Sequence, residues 1–98
     1  MKNPFGLVVI GIDGGVINKF LSPNLPSSIV DEAVALSRDI YRLLQAIAEE
    51  FNYSLPKTIS LVLDDYEIVL IKKKDKIIVA IHYYAMPEGK RGEVLAEA

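Results

Sequence analysis

Ninety-eight residues, 51% of them hydrophobic and 24% charged, specify one folded domain and leave no room for a second module beyond a tail. A formal net charge of -2 removes the electrostatic basis for binding nucleic acid, and the absence of cysteine excludes thiol catalysis, disulfides and thiolate metal sites. A single histidine, His82, cannot build a histidine metal cluster, so neither a metal nor another cofactor is expected.

Residues 1–4 are a short leader in which Pro4 disfavours a helix before the first strand. Residues 5–12, FGLVVIGI, are β-branched, short and stopped by turn residues, the marks of a strand. Both faces of it are apolar: Phe5, Leu7 and Val9 alternate with Val8, Ile10 and Ile12. The run is far below the roughly 20 residues of a membrane span and lacks the flanks of a secretory signal, so a cytoplasmic chain without direct membrane insertion is expected. Asp13-Gly14-Gly15 is a hairpin signal, returning the chain through Val16–Leu21.

After SPNLPS, in which Ser27 or Ser28 can cap a helix, residues 28–52 carry the one long amphipathic pattern. At 100° per residue Ile29, Ala33, Leu36, Ile40, Leu43, Leu44, Ile47 and Phe51 fall in an arc of about 100°, the expected core face. Val30, Val34, Tyr41 and Ala48, with Ser37 and Gln45 interspersed, extend it by roughly another 80°. Ordinary partial exposure of Ala and Val is the bland account of this second strip. Its contiguity around Tyr41 favours a helix with two clients, its own sheet and a partner.

Pro56 cannot continue the helix. Three further strands are predicted at Thr58–Leu63, 67–72 and 77–85, separated by Asp64-Asp65 and by Lys73-Lys74-Asp75-Lys76. Residues 86–98 hold two glycines and a proline in their first half and read as a loosely attached tail behind a domain at 1–85. The fold class is α+β: a single domain of order β-β-α-β-β-β, a five-stranded antiparallel sheet with one long helix. Such a sheet is about 24 Å across and a helix about 10 Å wide, so strands apolar on both faces cannot all be covered. Self-association is the simplest source of the missing apolar surface.

The strings GLVVIGIDGGVINKF, SSIVDEAVALSRDIYRLLQAIAEEFNYSLPKTISLVL and EIVLIKKKDKIIVAIHY resemble the opening hairpin, the long helix with the middle strand, and the closing hairpin of the roadblock/LC7 family. The resemblance spans roughly residues 5–85 and rests on residue types, not on catalytic letters. It implies a non-enzymatic homodimer, built by pairing the middle strand edge to edge and laying the long helices side by side. Such a scaffold serves as a platform for a small Ras-like GTPase. The implied interface is Val30, Val34, Ser37, Tyr41, Gln45 and Ala48 on the helix, with Thr58, Ser60 and Val62 on the pairing strand. The helix that family members usually carry before the first strand has no counterpart in residues 1–4. This departure moves the chain toward the longin-like domains, which imply an adaptor or trafficking subunit acting through a hetero-partner.

The chemistry-bearing residues have simpler explanations. Asp13, Asp64 and Asp65 sit in predicted turns, where Asp serves local backbone hydrogen bonding. A lone His82 on a strand is more often structural than catalytic; a small enzyme or ligand sensor would need a deep polar pocket converging on His82 and a carboxylate. Lys72, Lys73, Lys74 and Lys76 read as a solvated hairpin tip, and Gly89-Lys90-Arg91-Gly92 has no phosphate-loop spacing. No catalytic motif occurs, and the chain is expected not to be an enzyme.

Overall fold

The computed structural model describes residues 3–84 and 94–97. In chain order the elements are β1 (Phe5–Gly11), β2 (Val16–Leu21), α1 (Ser27–Phe51), β3 (Thr58–Leu63), β4 (Tyr66–Lys72), β5 (Lys76–Tyr83) and β6 (Val94–Glu97). The expected α+β domain with its antiparallel sheet and single long helix is present, in the order β-β-α-β-β-β, followed by a short sixth strand. Strand order across the sheet is β2-β1-β5-β4-β3-β6, every neighbouring pair antiparallel.

Turn chemistry fixes the hairpins. Gly14 adopts φ +91°, a conformation that side chains disfavour, while the Asp13 carboxylate accepts the Gly15 N–H at 2.9 Å. Asp64 takes φ 53° in the two-residue link between Leu63 and Tyr66. The helix begins differently from expectation: Pro26 occupies the cap position, with no side-chain cap bond, and its carbonyl accepts the N–H of Ile29 and Val30. Ser27 and Ser28 therefore lie inside the first turn, where a proline ahead of them has already fixed the extended entry. At the other end Asn52 turns left-handed at φ 58° and donates its N–H to Ala48.

Because side chains alternate across a strand, the sheet has two faces of opposite fate. Val8, Ile10, Ile59, Leu61, Ile68, Leu70, Val79 and Ile81 form the covered face and are buried under α1. The helix presents Ile29, Val30, Ala33, Val34, Ser37 and Tyr41 to the core. Ala33 and Ser37 at the middle of this stripe are fully buried, and their small size admits the helix close to the sheet. Ser37 is tolerated there because its hydroxyl donates to the Ala33 carbonyl at 2.6 Å. The loop after β2 closes one end of the core: Leu25 packs over Gly6, where an added Cβ would lie 2.6 Å from a Leu25 methyl.

The buried stripe is rolled from the predicted core face by roughly 70° at 100° per residue. Leu43 and Phe51, expected inside, are 61% and 62% exposed. Leu36, Ile40 and Leu44 are partly buried at the margin of the core. The end of the chain also differs from expectation. Val94–Glu97 pairs with β3, in register Thr58↔Glu97 to Leu61↔Val94. The predicted loose attachment of 86–93 and the end of the fifth strand at residue 85 lie outside the described residues.

Candidate functional site

Three surfaces gather what chemistry the domain has: the free side of α1, the uncovered face of the sheet, and a cleft between α1 and the two hairpin turns. The first displaces the expected helix interface. Val30, Val34, Ser37 and Tyr41 are buried in the chain's own core and cannot meet a partner; Ala48 is half-buried and Gln45 is exposed at the edge of the cleft. The physical reason is that a stripe of small and β-branched residues fits the sheet more closely than the Leu/Ile/Phe arc. What remains outside is Leu43, Ile47 and Phe51, which with the partly buried Leu36 and Ile40 make a seam with three- and four-residue spacing.

The predicted pairing strand also stands differently. The outer edge of β3 is hydrogen-bonded to β6 from Thr58 to Leu61, so its backbone groups there already have partners. Thr58, Ser60 and Val62 alternate onto the uncovered face and are each half-buried. Their neighbours across the sheet include Val69, Ile71, Ile78, Ala80, Val9 and Leu7, ending in Phe20, which is 72% exposed. No described element lies over this face.

One polar cluster interrupts it. His82 Nε2 and Glu67 Oε1 are 2.6 Å apart, and Ser60 Oγ donates to Glu67 Oε2 at 3.0 Å. An ionised carboxylate only accepts, so Nε2 carries the proton. The hydrogen bond from His82 holds Glu67 below its ordinary value of 4.5, against the opposing effect of partial burial. Half of the condition for a catalytic histidine is thus met, a carboxylate at hydrogen-bond distance. The enclosing pocket is missing, for the two side chains are 44% and 31% exposed on an open surface. Ser60 points its proton at the acid, not at the imidazole, so the trio does not form a nucleophile and base.

No family model and no curated protein matches this chain. Function has to be argued from the surfaces themselves. Among the described residues no group of three or more His, Cys, Asp and Glu is placed to hold a metal, and no helix is long and apolar enough to cross a membrane.

The cleft is the more enclosed of two adjoining concavities, the other being a shallow one between the end of α1 and the β4–β5 turn. It encloses about 310 Å³ between the β1–β2 turn, the middle of α1 and the β4–β5 turn. Arg38, Arg42, Lys72, Lys73, Lys74 and Lys76 line it, with Asp13 as the single carboxylate. The lysines were legible as a hairpin tip; what sequence spacing did not reveal is that the fold brings two helix arginines, thirty or more positions away, to the same place. Tyr41 also lines it, and burial pushes its phenol above the ordinary value of 10.0.

Proposed function

We propose that the chain is a non-catalytic, self-associating platform that docks a small Ras-like GTPase or a related switch protein. The observation that carries the reading is the sheet face from Val62 through Val69 and Leu7 to Phe20, largely apolar outside the Ser60–Glu67–His82 cluster and without cover from any described element. Contiguous apolar surface of this kind marks a protein contact. The seam on α1 supports the self-association: Leu36, Ile40, Leu43 and Ile47 have the spacing by which helices pair, and this chain has no second helix among its described residues. A second copy supplies the same seam and satisfies both at once by two-fold symmetry. The dimer contact is therefore assigned to Leu43, Ile47 and Phe51 in place of the Tyr41 strip.

The test combines light scattering with binding. Wild type is expected to be a dimer at micromolar concentration, Leu43→Asp/Ile47→Asp a folded monomer, and Leu7→Asp/Phe20→Asp a dimer that no longer retains the GTPase on a column. A wild type that is monomeric, well folded and indifferent to a panel of such GTPases in nucleotide-exchange assays would end the reading. One observation favours the longin-like alternative, an adaptor that waits for a different chain. The β3 edge, which a strand-paired homodimer needs, is taken by β6. Capture of an unrelated coat or tether subunit by a monomeric chain would select it.

A further inference from the structure

We infer that the cleft between α1 and the two hairpin turns is a binding site for a small soluble anion carrying two or more phosphate groups. Six of the chain's eleven Lys and Arg residues line this one concavity, although the chain as a whole is acidic. Among the described residues none of the six is in an ion pair. Like charges collected in a cleft with apolar walls, here Ile10, Leu55 and Ile77, repel one another and focus a positive field into the space between them. Asp13 offsets only one of the six positive charges, and its carboxylate is held in the turn by the Gly15 N–H.

The second, independent observation is polar and uncharged. Tyr41 is only 6% exposed, lines the cleft, and its hydroxyl has no hydrogen-bond partner among the described residues. The Arg38 Nε group beside it is likewise buried and unpartnered. A buried donor without an acceptor is destabilising, and a small shift of these two side chains would let one ligand rich in acceptor oxygens satisfy both. Guanidinium groups match phosphate geometry, while lysines at the rim supply point charges that can follow a second phosphate. The enclosed volume, at the lower end of what ligand pockets show, fits a small metabolite and not a polymer.

Gly14 places the β1–β2 turn beside Arg38. An added Cβ there would stand 3.8 Å from Arg38 Nε, so the turn forms the wall against which the guanidinium rests. Fold and charge thus converge on a site that neither the dimer seam nor the sheet face uses, and its failure would leave the docking proposal standing.

The test is calorimetric titration of the purified chain with inorganic pyrophosphate, using orthophosphate and vesicles containing a phosphoinositide as the other arms. Pyrophosphate is expected to bind saturably at one site per chain, more tightly than orthophosphate, and more weakly as salt is raised. Arg38→Gln is expected to weaken binding about tenfold or more and Tyr41→Phe, which keeps the ring in the core, by about three- to fivefold. Lys19→Gln, on β2 and away from the cleft, changes it by less than about twofold. The inference is overturned by the absence of saturable binding, by equal losses from Lys19→Gln and Arg38→Gln, or by binding to the vesicles alone.

Discussion

The two faces of one sheet share the same strands and the same hydrogen bonds, yet they live in different solvents. Leu70 faces α1 and is fully buried; Val69, its chain neighbour, faces outward and is half-buried. The same division runs through Val8 against Leu7 and Val79 against Ala80. What separates them is only which side the single helix occupies. Alternation along the strand then decides the energetic weight of every side chain.

The sharpest test of that contrast is to truncate neighbours. Leu70→Ala is expected to cost about 3 kcal/mol in chemical denaturation, the sum of lost transfer energy and a cavity. Phe20→Ser on the open face is expected to stay within about 0.5 kcal/mol in the monomer, since most of that ring is already in water. Equal losses would mean that both faces are covered. Next in size is Tyr41→Phe on the covered side, which removes a buried hydroxyl without a partner and is expected to raise stability by about 1 kcal/mol in phosphate-free buffer. Saturating pyrophosphate should erase that advantage, because the hydroxyl then has an acceptor.

The smallest effect belongs to the polar cluster on the open side. Glu67 titrates below its ordinary value of 4.5 in the folded chain, so it adds stability above that value and loses the contribution as pH falls through the lowered one. Both partners are partly solvated, so Glu67→Gln is expected to cost about 0.5 kcal/mol at pH 6 and nothing at the acid end of the window. Urea unfolding of both proteins between pH 6 and 3 reads the difference; parallel curves throughout would dissociate Glu67 from the acid response.

Strands and helix were legible because period and turn residues are local. Residues 28–52 announce a helix by spacing alone, and Asp13-Gly14-Gly15 and Asp64-Asp65 announce reversals by the backbone conformations they tolerate. Which stripe of the helix would be buried was not. Summed hydrophobicity points toward Leu43, Ile47 and Phe51, whereas close approach rewards Ala33 and Ser37, and a serine that bonds to its own helix hides its polarity. Ser60, Glu67 and His82 sit on three strands, and only the registers Ser60↔Val69 and Glu67↔His82 bring them together. The cleft was invisible for the same reason. Nothing local to Arg38 and Arg42 shows that β4 and β5 set their turn beside them.

The short strand β6 gives the sheet an asymmetric capacity for growth. At the β2 end, where Lys19 stands, a new strand would simply add to the ladder; a strand that is to pair with β3 itself must first evict four residues of the same polypeptide. A tethered segment presents itself at an effective concentration in the millimolar range, so an intruding chain starts from a steep disadvantage. Recruitment onto β3 is therefore a displacement reaction, and its rate will be set by how often the resident strand lets go.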